Sequence, residues 1–253
     1  MELPRLIVIG EKNISNIGDF LNSLTRPKKV SLMSGVNVRK IVQKKIDRSL
    51  KSKKIKAVWH SVLGNEKKSF AELEKIVRKD KSDLIVGVGG GRAVDAAKMI
   101  AFTQSKPFVS VPTAASHDGI ASPFVSIKGD KPHSIVATAP LGVFVDIDII
   151  KKAPKKLLAS GCGDLIANII AVKDWELGRD KVGEYYGRYA ANLALMSAKI
   201  VEESSGVFAK KGLDPRVIVE ALISAGVASC IAGSSRPCSR SEEHTSELQS
   251  PDH

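Results

Sequence analysis

Apolar positions in the first half of the chain fall into short runs separated by amphipathic stretches. Residues 5–10, 29–34, 55–62, 83–88, 107–111 and 140–146 are rich in Val, Ile and Leu and predict strands. Residues 14–24, 35–45, 69–78 and 92–102 predict the helices between them, with Phe70, Leu73 and Val77 at helical spacing in the third. Strands alternating with helices argue for an α/β fold built on a mostly parallel, doubly wound sheet. Residues 128–133 are polar and turn-rich, and 134–137 predict an edge hairpin strand. From Lys155 onward the strand signals stop, and 156–160, 164–177, 185–204 and 215–231 predict helices. The expected organisation is an α/β domain over 1–152 and an all-helical domain over 153–239.

The richest stretch is 84–123. Leu84-Ile85-Val86 reads as a buried strand; Gly87, Gly89, Gly90 and Gly91 follow, and then a helix with Ala93, Ala96, Ala97 and Ile100 on one face. Strand, glycine turn, helix is a geometry that cradles phosphate. Without Cβ atoms the backbone approaches the ligand closely, and the first N–H groups of the helix point at the anion. The same cluster also serves in tight turns that bind nothing. A second loop of small and hydroxylated residues, 112–119, follows the next strand, where parallel topology brings it beside the first. The pair points to a Rossmann-like nucleotide or dinucleotide site.

Composition narrows the class. A chain of 253 residues with 43% hydrophobic content buries a real core. No apolar run approaches the roughly 18 residues of a bilayer span, and the start lacks a signal-peptide layout, so the expected location is cytoplasmic. Cys162, Cys230 and Cys238 form neither a metal-type pair nor a disulfide framework. The net charge is +12. The lysine runs at 51–54 and 151–156 carry no interleaved aromatics, which reads as a solvated basic surface rather than a nucleic-acid site. A positive field also attracts phosphorylated substrates and cofactors.

Three segments, GVGGGRAVDAAK, PFVSVPTAASHDGIASP and GCGDLIANIIAVKDWEL, resemble the archaeal-type sn-glycerol-1-phosphate dehydrogenases, within the iron-dependent alcohol dehydrogenase and dehydroquinate synthase-like superfamily. The resemblance runs from the start of the chain to 231–237, and SHDGIASP is its most specific part. It implies reversible hydride transfer between NAD or NADP and dihydroxyacetone phosphate, giving sn-glycerol 1-phosphate for archaeal-type membrane lipids, in an enzyme that usually assembles into homo-oligomers. It implies a cofactor set of Gly89, Gly90, Gly91, Arg92, Ala93, Val94 and Asp95 at the glycine turn, with Thr113, Ala114, Ala115, Ser116 and Ser122 on the nicotinamide side. Asp118 would bind substrate. Asp164 would ligate a catalytic zinc (Zn2+) and touch substrate, together with two later histidines.

The spacing alone gives blander readings. Asp164 after Gly161-Cys162-Gly163 predicts an N-cap. Asp118-Gly119 is a common turn pair. His117 is second-tier, and Asn168, one helical turn after Asp164, would face the same cavity. No clear ribose-reading residue decides NAD against NADP. The place for one is 34–37, with Arg39 and Lys40 nearby.

The chain departs from the family after Pro237. From Arg240 it resembles the translation of a common sequencing adapter, so 240–253 is set aside as non-native. His244 stands one residue out of the family's register, where Glu243 occupies the matching position, and neither receives the ligand role; His253 has no case. The expected metal site is therefore incomplete, and the chain a C-terminally truncated fragment with little or no turnover. The rival readings are another glycerol or polyol dehydrogenase, a dehydroquinate synthase-like enzyme, and a nucleotide-binding remnant without catalysis.

Overall fold

The computed structural model describes residues 2–64, 67–127 and 133–239. The tail 240–253, with His244 and His253, and most of the polar turn expected at 128–133 lie outside the described residues. Strands β1 (Leu6–Gly10), β2 (Lys29–Ser34), β3 (Lys56–Ser61), β4 (Leu84–Gly89), β5 (Phe108–Pro112) and β8 (Gly142–Asp146) form a six-stranded sheet in the order β1-β8-β5-β4-β2-β3. Every pairing in it is parallel.

Alternation along the strands assigns the two faces. Val30 and Leu32 of β2, with Leu84, Val86 and Val88 of β4, pack with α1 (Ile17–Leu24) and α2 (Val36–Ser52). Met33, Ile85 and Phe108 join the other face, under α3 (Lys67–Arg78) and α4 (Gly91–Thr103). All six residues of β4 are buried, which is why a central parallel strand reads as an unbroken apolar run. At β8 the second face is covered differently. Val143 and Val145 share a cluster with Ala115 and Ile120 from the loop after β5 and with helical residues Leu165 and Leu222.

After β8, the short α5 (Ile147–Ile150) is capped by Asp146, which accepts from the N–H groups of Asp148 at 3.0 Å and Ile149 at 3.3 Å. Three long helices follow: α6 (Lys155–Val182), α7 (Arg188–Lys211) and α8 (Pro215–Ala232). α8 starts as its sequence dictates, with Asp214 accepting from Arg216 N at 2.9 Å and Pro215 in the first turn. It is long and apolar enough to cross a membrane by length and composition only, although Arg216 and Glu220 interrupt its apolar run. Its apolar residues are spent instead on the core, with Ile218, Leu222 and Ala225 fully buried.

The other differences have local causes. α6 is one helix where two were expected, so Asp164 lies inside it and is not an N-cap. Gly161 does not break it; the space of its missing Cβ is taken by the carbonyl of Ala115, so glycine is there for close approach. α2 runs on to Ser52 because Ile46 and Leu50 keep its apolar face in register with the core. The hairpin strand is β7 (His133–Val136), and its partner β6 (Phe124–Ile127) was not foreseen. A four-residue strand after a proline offers too short a pattern to read.

Candidate functional site

β4 and β5 end side by side, with Gly89 paired to Pro112 and Thr113 N donating to Gly89 O at 2.9 Å. The glycine turn and the small-residue loop thus leave the same edge of the sheet, the usual ligand position in an open α/β fold. Gly90 is the N-cap of α4 and offers no side-chain cap. A Cβ on Gly90 would meet nothing within 4 Å, so this backbone faces open space.

The loop turns back in a 3-10 turn at Asp118–Ile120. His117 secures it: Gly119 N donates to His117 Nδ1 at 3.0 Å, so that ring nitrogen is the acceptor in this bond. Gly91 and Gly119 both lie against this ring, and a Cβ on either would collide with it. α8 supports the loop from behind, where a Cβ on Gly226 would stand 2.7 Å from Asp118 O and 2.8 Å from Ser122 N. From the helical side, Asp164 Oδ2 accepts from Asp118 N at 2.8 Å.

These pieces enclose a cavity of about 400 Å³. Gly91, Arg92 and Asp95 of α4, His117, Asp118 and Ser122 of the loop, and Asp164 of α6 line it. Phe124, Ser126 and Ser134 of the hairpin add a wall, and Ser235, Cys238 and Ser239 close the remaining side. Arg236 anchors that last segment through bonds to Glu184 at 2.7 and 2.6 Å and to Asp174 at 2.7 Å. A larger cavity of about 650 Å³ opens at the other end of the sheet, near Arg5 and Pro140. None of its polar side chains is buried, and no functional cluster converges there.

The remaining expected residues stand around this centre. Gly89 and Thr113, bonded to each other through the main chain, lie outside the cavity lining. Ala93, Val94, Ala114 and Ala115 are buried, Val94 within the α3/α4 core and Ala115 in the cluster shared with α8. Ser116 is half-buried. Asn168 is 1% exposed and lies outside the cavity lining. The hairpin serines, the 235–239 segment and Lys98 were missed. The one signal for Lys98 was a lysine on the otherwise small and apolar inner side of GRAVDAAK.

Burial dominates the electrostatics. It pushes the Asp118 carboxyl above the usual carboxylate range, against the pull of His117 and Lys98. Asp118 is only half-buried by accessible surface, but protein encloses the inner side of its carboxyl. Burial lowers the Lys98 ammonium, opposed by Asp95 and Asp118. It also raises the Cys238 thiol well above the ordinary range, with Asp118 and Asp164 adding to the effect.

Residues 8–154 match the iron-containing alcohol dehydrogenase family. A glycerol-1-phosphate dehydrogenase [NAD(P)+] of Nitrosopumilus maritimus (strain SCM1) is 69% identical over 242 residues, 96% of this chain and 68% of that one. The chain belongs to the glycerol-1-phosphate dehydrogenase branch of this family. By family it is an NAD(P)-dependent oxidoreductase acting on a CH–OH group. The same enzyme of Sulfurisphaera tokodaii is 41% identical over 257 residues, all of this chain and 73% of that one. The crystal structure of glycerol dehydrogenase from Schizosaccharomyces pombe shares the fold, with a TM-score of 0.77 at 23% identity over 90% of this chain and 61% of that one.

The family's description names iron. Among the described residues, no group of three or more His, Cys, Asp and Glu is placed to hold a metal ion. Asp164 brings one carboxylate, with one oxygen already accepting from Asp118 N. A catalytic metal centre takes about three protein donors. The described donor set therefore does not fit a metal.

Proposed function

We propose that this chain carries the dinucleotide-binding and substrate-loop half of an NAD(P)-dependent sn-glycerol-1-phosphate dehydrogenase, divided near residue 152 from a helical domain. One observation carries the reading: the open start of α4, the Asp118 loop and Asp164 converge on a single cavity. The N–H groups at Gly90 to Arg92 suit a pyrophosphate, with Arg92 adding charge. Gly89 belongs with that phosphate turn, Thr113, Ser116 and Ser122 shape the nicotinamide side, and Ala93, Val94, Ala114 and Ala115 hold the backbone in place by packing. Asp118 accepts from substrate hydroxyls.

The reaction is the transfer of a hydride from the reduced nicotinamide to the carbonyl carbon of dihydroxyacetone phosphate, with a proton added to the oxygen. The product is sn-glycerol 1-phosphate, a precursor suited to archaeal-type membrane lipids. Asp164 would serve as a metal carboxylate only together with donors from outside the described residues, since the described donors alone do not make a metal site. Zinc is our reading of that ion and iron the family's description, and metal analysis of the purified protein decides between them.

The test is NADPH and NADH binding by nicotinamide fluorescence, followed by turnover with dihydroxyacetone phosphate, dihydroxyacetone and glycerol. We expect dinucleotide binding and preference for the phosphorylated compound; preference for an unphosphorylated one returns the chain to the polyol dehydrogenases. A second reading, dinucleotide binding without turnover, is favoured by the engagement of Asp164 with Asp118 N. Binding with no turnover under added zinc or iron supports it.

A further inference from the structure

Lys98 is a buried charge to which none of these roles gives work. It sits in α4, two turns after the glycine turn, and its side chain is 0% exposed. Its ammonium donates to Gly119 O at 3.0 Å and to Phe124 O at 2.5 Å, and stands 3.7 Å from Asp95 Oδ1. The two carbonyls are not arbitrary. Gly119 directly follows Asp118, and Phe124 opens the hairpin strand that walls the cavity. A buried carbonyl without a donor is costly, and here two loop carbonyls turn inward to one group.

An ammonium has three donors and no acceptor, so it serves both carbonyls and faces the Asp95 carboxylate at once. Asp95 Oδ1 is otherwise buried without a hydrogen-bond partner. A core position filled for packing alone would take a leucine or methionine, which loses nothing on burial. A lysine kept here ties three elements together: the helix that starts at the glycine turn, the loop of Asp118 and the hairpin.

Resting on the dinucleotide reading above, we infer that Lys98 is a positioning residue that fixes the Asp118 loop and the hairpin to the helix whose start takes the cofactor phosphates. Ordering of α4 by bound nucleotide then reaches residues 118–124 through one side chain.

Hydrogen–deuterium exchange on the 253-residue protein tests this. Without ligand, Lys98→Met is expected to exchange about tenfold or more faster across 118–124 while β4 amides keep wild-type protection, since only a local opening is made easier. A merely structural lysine would loosen β4 and the loop alike, and either that pattern or unchanged exchange at 118–124 overturns the inference. Added NADPH should protect 118–124 in the wild type and lose most of that effect in Lys98→Met, with nucleotide affinity changed by less than about threefold. Equal protection in both proteins also overturns it. Failure of the wild type to bind NADPH strikes the dinucleotide reading alone, because the ligand-free comparison still decides the role of Lys98. If Lys98→Met does not fold, Lys98→Ala is compared in ethylammonium chloride and potassium chloride. Recovery of loop protection with the ammonium ion alone supports the positioning role, and no recovery overturns it.

Discussion

The backbone N–H of Asp118 donates to Oδ2 of Asp164 at 2.8 Å, joining the loop after β5 to the middle of α6 across 46 residues of sequence. The two acids proposed to meet the substrate thus hold each other in place, one through its main chain and the other through its carboxylate. Asp164→Ala leaves a half-buried N–H without its acceptor and should lower stability by about 1–2 kcal/mol. Asp164→Asn keeps an oxygen acceptor and should lose less than about 1 kcal/mol. Urea denaturation of both variants reads the difference. Equal losses would show that the carboxylate's charge, and not its acceptor, supports the loop.

Gly90 and Gly91 are neighbours with opposite constraints. A Cβ on Gly91 runs into the His117 ring, whereas one on Gly90 meets nothing within 4 Å. Gly91→Ala should therefore disturb the loop itself, with a stability loss of about 1–3 kcal/mol from overpacking. Gly90→Ala should fold with near wild-type stability and still lose about tenfold or more in NADPH affinity, because its methyl group fills the space the pyrophosphate needs. Thermal melts with fluorescence titration separate the two. Full affinity in Gly90→Ala would move the nucleotide away from this turn.

Cys230 gives a signed pH effect. Burial pushes its thiol up to about 11, above the ordinary value of 9.0. The folded state holds this proton more tightly than the unfolded chain does. The contribution to stability is whole below pH 9 and is lost as pH rises through about 11, at up to about 1.4 kcal/mol per pH unit. Cys230→Ala should flatten that part of the alkaline stability curve. An unchanged slope between pH 9 and 11 would assign the alkaline loss to other groups.

The sheet and its glycine turn were legible because buried parallel strands such as β4 are apolar on both faces, and the turn repeats a residue without Cβ where a helix must start. The long-range parts were not. α6 looked divided because glycines weaken a helix on propensity, and only the carbonyl of Ala115 explains Gly161. The cavity wall at 235–239 depends on Arg236 meeting Glu184 and Asp174, partners more than fifty residues away. Lys98 stands out in the sequence only as a lysine among small and apolar residues, and its role shows once the loop carbonyls of Gly119 and Phe124 are placed beside it.

Metal removal should separate the two halves of the site. The backbone proposed to hold the dinucleotide phosphates belongs to Gly90–Arg92 at the start of α4, while the one carboxylate offered to a metal lies on α6. EDTA should therefore leave NADPH affinity within about twofold, since no described nucleotide contact depends on an ion. Zinc or iron(II) titrated into the dialysed protein should bind far more weakly than at a three-donor catalytic site. Asp164→Ala should abolish whatever weak binding remains. Stoichiometric metal that survives dialysis would instead show that donors outside the described residues complete the centre. Asp164 would then have to share its carboxylate between that ion and the N–H of Asp118, and loss of the metal should loosen the substrate loop as Asp164→Ala does.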